Sequence, residues 1–248
     1  DHPAFLSDSY QLRDFNGVTI GVHPFAYNPI AKSLKVYQYM IIKISFESND
    51  NQIVAKKNNK VYDEIYSRHF LNYDKYRSAK YSPLTEEGEM LIIAPATFVT
   101  ALQPLKAWKT KSGIKTTIVP TSTAGSTAAA IKTYILNYYN AHNLAYVIIV
   151  GDHTQFPYFT LSGGTSDNYF TEVAGGDNYP DFLLGKISAE NVDQVTIQVN
   201  KFIAYDQGLL AQASNSVFCG IGSSEGPGDN SEYDYQHIRN IGNMLQNY

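Results

Sequence analysis

Apolar and polar positions alternate along this chain in two rhythms. Up to about residue 46 the period is two. Val18, Ile20 and Val22 are separated by polar or small residues, and within residues 34–46 (LKVYQYMIIKISF) Val36, Met40, Ile42, Ile44 and Phe46 share one face, the repeat of a half-buried strand. Between them stands Tyr27-Asn28-Pro29. Pro29 fixes its own φ and disfavours helix at Asn28, so the two runs are predicted to form an antiparallel hairpin with a longer connection. Residues 48–60 are polar and rich in Asn and Lys, which predicts a loop, and residues 61–81 hold many aromatics without a clean period.

From Glu86 the rhythm changes. Residues 90–94 (MLIIA), 116–119 (TTIV) and 145–150 (AYVIIV) are short apolar runs, the mark of strands buried on both faces. Between them, residues 97–112 carry Leu102, Leu105 and Trp108 at helical spacing before Gly113, and residues 127–140 form a second predicted helix with Ser126 as its N-cap. This is a βαβαβ pattern. Residues 182–187 continue it as a strand, Val192, Val195, Val199, Phe202 and Ile203 mark a helical face, and residues 217–221 read as another buried strand. A last helix over 233–248 would turn Ile238, Ile241, Met244 and Leu245 to the core. Right-handed crossovers then give an α/β fold: an open, mostly parallel sheet with helices on both faces, preceded by a β-rich segment.

Composition narrows the function classes. At 248 residues and 44% hydrophobic the chain can bury a full core and divide into two domains. Its net charge of −4, with Lys and Arg scattered, argues against nucleic acid as a partner. No apolar run approaches the roughly 20 residues that span a bilayer. One cysteine, Cys219, rules out an intramolecular disulfide and a zinc–thiolate cluster. Lying in an apolar run, it is expected to be a small core residue rather than a nucleophile.

The chemistry gathers where strands end. Five segments, YSPLTEEGEMLIIA (81–94), YVIIVGDHTQFP (146–157), SDNYF (166–170), GGDNYPDFLLGKISAE (175–190) and SSEGPGDNSEYDYQH (223–237), resemble in order and spacing a gingipain-type cysteine peptidase of the arginine-specific branch. Residues 13–37 are similar to the end of that family's inhibitory prosegment. The resemblance implies a caspase-like α/β peptidase domain over 81–248 and a β-rich prosegment over 1–80, cut between Lys80 and Tyr81. It also implies a secreted or bacterial-surface endopeptidase, made as a zymogen and cleaving proteins or peptides after Arg or Lys. That family works through a Cys–His pair, the histidine in a Gly-His-Gly setting, and this sequence has no such pair. Covalent thiolate chemistry needs both groups, so the chain alone is expected to be inactive, with the remainder of the peptidase domain as a partner.

Site residues carry over by position. Glu225 matches the carboxylate that orients the catalytic histidine, and its alternative is a solvated loop glutamate. Asp234 matches the aspartate of the arginine specificity pocket, where a buried carboxylate would pair with a guanidinium. A carboxylate complementing a helix N-terminus is an equal reading. Asp177, Tyr179 through its carbonyl, and Asp181, with Asp152 from the neighbouring strand end, resemble a structural calcium site, and hard oxygen ligands suit that ion. Gly175 stands where some members have a further aspartate. His153 and His237 are read as structural. A prosegment is expected to dock over the carboxyl ends of the parallel strands and to place Arg68, Arg77 or Lys80 near the specificity pocket.

Two other classes compete. Residues 220–226 (GIGSSEG) follow a run like a dinucleotide fingerprint, but the third glycine is one position late and Glu225 would oppose a pyrophosphate. The other reading is a non-catalytic binding or inhibitory module on the same fold.

Overall fold

The computed structural model describes residues 3–44, 60–73, 87–161, 164–209, 217, 219–228 and 231–246. It divides into two compact units, residues 1–199 and 200–248. The expected domain boundary and cleavage point, Lys80 and Tyr81, lie outside the described residues, as does Arg77.

The first unit opens with three antiparallel ribbons. β1 (Ala4–Leu6) pairs with β4 (Ile20–Val22), β2 (Tyr10–Leu12) with β3 (Phe15–Gly17), and β5 (Phe25–Asn28) with β6 (Ser33–Val36). The segment is β-rich as predicted, but the pairing differs. The turn at Pro29 closes β5 on β6, whereas the alternating run at 18–22 pairs back to residues 4–6, and residues 37–44 are not strand. Periodicity identifies a strand's faces, not its neighbour. Helix α1 (Lys60–His69) was not visible as a period. Its Tyr62 and Tyr66, one turn apart, pack with Leu12, Tyr73 and Phe15 into an aromatic cluster beneath the β2–β3 ribbon.

The α/β layer follows the prediction closely. β7 (Glu89–Ala94), β8 (Lys115–Pro120), β9 (Leu144–Val150) and β12 (Leu183–Ile187) form one parallel sheet in the order β12-β9-β7-β8, with β10 (Thr160–Leu161) and β11 (Gly164–Thr165) a small separate ribbon. Leu91, Ile93, Val147 and Ile149 meet Ile131, Ile135 and Tyr139 of α4 (Ala128–Ala141). The alternate residues Met90 and Ile92 are buried too, so both faces of β7 are covered. α2 (Gln103–Lys111) packs beside β8, and a one-turn α3 (Thr121–Ala124) precedes α4. The N-cap of α4 is Thr127 rather than Ser126, its side chain accepting the Ala130 N–H at 3.2 Å. β7 connects to β8 on one side and the chain then returns to β9 on the other. Right-handed crossovers therefore send the two connections to opposite faces, and the carboxyl ends of β7 and β9 become the switch point.

α5 (Val192–Asp206) runs into the second unit, which ends in α6 (Asp234–Gln246). Two expectations fail here. Residues 217–221 are not strand among those described, with Val217 and Ile221 strongly exposed and Cys219 exposed rather than core. α6 is amphipathic, but Met244 and Leu245 are exposed and no residue of the helix is buried. An apolar run becomes a buried strand only when another element supplies the ladder and the cover, and the described residues of 200–248 supply neither.

Candidate functional site

At the carboxyl end of β9 the chain turns at Gly151, whose φ of 123° is left-handed. The Gly151 N–H donates to Ile187 O and the Asp152 N–H to Ala189 O, while the Asp152 carbonyl accepts from Gln155 and Phe156, so the exit loop is fixed to the end of β12. Asp152 Oδ1 accepts the His153 N–H at 2.8 Å and lies 3.6 Å from His153 Nδ1. The His153 N–H holds the exposed carboxyl below its ordinary range.

The loop between Gly175 and Asp181 is built on backbone donors. Asp181 is fully buried, and its Oδ2 accepts the N–H groups of Val173 (2.9 Å) and Ala174 (2.7 Å), while Oδ1 has no hydrogen-bond partner. Burial pushes its carboxyl up, opposed by those two N–H groups and reinforced by the charge of Asp177. Asp177 Oδ1 accepts the Tyr179 N–H at 2.9 Å, and its Oδ2 accepts the N–H of Gln11, in strand β2, at 2.6 Å. The Tyr179 ring stacks on Tyr10 at 4.3 Å. Three of the four residues named for calcium, Asp177, Tyr179 and Asp181 through its carbonyl, thus touch the N-terminal segment. Asp152 is not brought in: among the described residues, no three His, Cys, Asp or Glu side chains group so as to hold a metal.

In the second unit the loop before α6 folds back on itself. The Asp234 N–H donates to Glu225 O at 3.1 Å, the Tyr235 N–H to Ser223 O at 3.1 Å, and Ser223 Oγ to Asp234 Oδ2 at 2.6 Å. A side chain at Gly222 would meet the Tyr235 backbone at 2.8 Å, so only glycine allows this approach. Glu225 and Asp234, nine positions apart in sequence, become neighbours through backbone bonds. Asp234 is exposed at the first turn of α6 rather than buried. It lines an open hollow of about 430 Å³ with Ser223, Glu232, His237 and Ile238. Glu232 accepts from Asn240 Nδ2 (2.8 Å) and lies 3.1 Å from His237 Nδ1, so His237 is held by a carboxylate. Among the described residues no histidine is bonded to Cys219.

Sequence reasoning missed Arg13. It is buried, and its guanidinium donates to Leu144 O (2.5 Å), to Asp181 O (3.4 Å) and to Asn143 Oδ1 (2.8 Å). No period marks such a residue. The one signal is a charged pair, Arg13-Asp14, in a two-residue link between Leu12 and Phe15. The described part of the N-terminal segment therefore meets the amino ends of β9 and β12, not their carboxyl ends as expected. Arg68 is instead exposed and paired with Glu64 at 2.7 Å.

A parallel βαβαβ sheet with Asp152 at the carboxyl end of β9, the acidic 175–181 loop leading into β12 and a β-rich N-terminal segment packed against the amino ends of β9 and β12 defines an α/β domain preceded by a β-rich extension. Comparison with known proteins agrees. Residues 84–248 match the model of peptidase family C25 and residues 2–80 that of the C25 propeptide. The chain belongs to peptidase family C25, a family of cysteine peptidases. It is 30% identical to Gingipain R2 of Porphyromonas gingivalis over 258 residues, covering 99% of this chain and 35% of the relative. It is 28% identical to Gingipain R1 over 256 residues, covering 99% and 26%, and 27% identical to Lys-gingipain over 240 residues, covering 84% and 13%. The chain thus spans about a third or less of these relatives. Among solved structures it is similar to the Arg-specific cysteine proteinase gingipain R (TM-score 0.58, 28% identity, 68% of this chain and 41% of that one). It is equally similar to a complex of the P. gingivalis RgpB pro- and mature domains (TM-score 0.58, 28% identity, 65% and 40%).

Proposed function

We propose that residues 1–80 are part of an inhibitory prosegment and that residues 81–248 begin the catalytic domain of an exported cysteine endopeptidase cleaving after basic residues. The observation that carries this reading is the order of the two family matches, 2–80 then 84–248, over a chain whose β2–β3 ribbon packs against the amino ends of β9 and β12. In this reading Glu225 orients the catalytic histidine and Asp234 pairs with the substrate guanidinium, whose fork matches two carboxylate oxygens. The backbone bonds joining their loops support a shared role, and the exposed Asp234 stands at the edge of a hollow open to a side chain.

Thiol attack requires a cysteine whose proton a neighbouring base accepts. Cys219 is exposed, and among the described residues no imidazole is hydrogen-bonded to it. The nucleophile and its base are therefore proposed to lie outside these 248 residues. Purified chain incubated with Arg and Lys peptide substrates under reducing conditions is expected to show no hydrolysis, and Cys219→Ala to change nothing. Hydrolysis abolished by Cys219→Ala would contradict this reading.

The 175–181 loop is further proposed to take calcium. Asp181 Oδ1, a buried oxygen without a hydrogen bond, is the group that fits a cation, and Asp177 and the Tyr179 carbonyl complete an all-oxygen set of the kind calcium prefers. A bound cation would supply charge compensation to a carboxylate buried without a counter-ion on that oxygen.

A further inference from the structure

The β2–β3 turn has a chemistry that its position in a hairpin does not require. Arg13 has φ 51°, while Asp14 is not left-handed. The first central residue of such a two-residue turn is normally glycine, because a side chain there is strained. A strained residue persists when its surroundings over-determine it, and here the surroundings lie across the molecule. Besides its bonds to Leu144 O and Asn143 Oδ1, the guanidinium lies 4.5 Å from the ring centroid of Tyr62 and 5.6 Å from that of Tyr139, with Nε 3.4 Å from Asp14 Oδ2. A buried cation is tolerated only when its charge and donors are compensated; here two carbonyls and an amide oxygen accept from the terminal nitrogens, two ring faces cover the plane, and the Asp14 carboxylate supplies the counter-charge beside Nε, which makes no hydrogen bond.

A second contact beside it is independent of that charge. The Gln11 N–H is held by Asp177, and Tyr10 stacks on Tyr179. At Gly175, φ 79°, an added Cβ would lie 2.7 Å from Gln11 Cβ and 2.6 Å from Asp177 Oδ2. The loop has been left bare where the strand crosses it.

We infer that Arg13 is the specificity-determining residue of an interface between the N-terminal segment and the peptidase part, its receptor being Asn143, the Leu144 and Asp181 carbonyls and the Tyr139 ring. A planar guanidinium presented on a tight turn is the group this receptor accepts; an ammonium cannot reach the same acceptors with a fixed fork. Leu144 begins β9 and Gly151 follows its last residue, so the receptor stands about 20 Å along the strand from the carboxyl-end loop. Attachment of the segment is therefore separate from whatever blocks the carboxyl ends, and cutting the connection at Lys80–Tyr81 leaves the segment bound. The last consequence rests on the prosegment reading; the interface does not.

The test uses the full chain with a recognition sequence for a site-specific protease placed within residues 74–86, cut after folding. The two pieces of the unsubstituted chain are expected to co-migrate on size exclusion at micromolar concentration. Arg13→Ala and Arg13→Lys should each weaken association at least about 30-fold. Asn143→Ala should weaken it less and combine non-additively with Arg13→Ala, and Arg68→Ala should leave it unchanged. Thermal melts of the uncut variants separate loss of docking from failure to fold, and if Arg13→Ala does not fold, the Lys and Asn143→Ala variants decide. Separation of the unsubstituted pieces, or association of both Arg13 variants as tight as that of the unsubstituted pieces, would overturn the interface. The prosegment reading would survive either result, since inhibition tests it separately.

Discussion

Replacing Asp181 with alanine is expected to cost about 3 kcal/mol, because it strands the N–H groups of Val173 and Ala174 inside the protein at roughly 1–3 kcal/mol each. Part of that loss is offset, since the same change removes a carboxylate whose burial is itself unfavourable. Asp181→Asn keeps an acceptor oxygen for both donors and is expected to stay within about 1 kcal/mol of the parent. The two variants therefore separate the acceptor from the charge. The charge carries a pH signature. Burial raises the folded-state pKa of Asp181 above its unfolded value, so its stabilising contribution is fully present below the ordinary carboxylate range and is lost as pH rises through the raised value. Acidification should therefore shift the stability difference between the parent and Asp181→Asn in the parent's favour. Calcium at neutral pH should raise the melting temperature of the parent, chelator should reverse this, and Asp181→Asn should respond to neither. A melt indifferent to calcium would remove the cation from the loop; a difference independent of pH would remove the buried ionised carboxylate.

Gly175→Asp, which restores the aspartate of some family members, is expected to destabilise this chain by about 2–4 kcal/mol. Three costs combine: a left-handed φ of 79°, a Cβ driven against Gln11 and Asp177, and a second negative charge beside Asp177. Gly175→Ala keeps the first two and is expected to lose somewhat less. Gly176 is the control. Its φ of 66° is also left-handed, but nothing lies within 4 Å of an added Cβ, and Gly176→Asn should cost at most about 1 kcal/mol. Equal stability of Gly175→Asp and the parent in thermal melts would mean that Gln11 does not cross the loop there.

These two residues also show what a sequence discloses. Strands 90–94 and 145–150 were legible because every residue is apolar, and only a sheet covered on both faces buries such a run. The helices on either side of β8 were legible from their spacing and from Gly113, left-handed at φ 94°. Residues 217–221 show the same apolar signal without the partner, and there the inference to a buried strand failed. α1 went unseen because its buried face is tyrosine, a residue equally at home in strands. The family motifs located Glu225, Asp234 and the 175–181 loop, yet no motif shows that Asp177 and Asp181 lie against the turn of a hairpin some 165 residues earlier. Long-range contacts made through one backbone N–H and one guanidinium leave no periodic trace.

If the N-terminal segment is an inhibitory prosegment, it should act on a mature peptidase of this family when supplied as a separate chain. Residues 1–80, once shown to be folded by a cooperative melt, can be titrated against an active gingipain R of P. gingivalis hydrolysing an arginine substrate. Hydrolysis is expected to fall with added segment to a saturating limit; hydrolysis unchanged at every concentration of folded segment would contradict the inhibitory role.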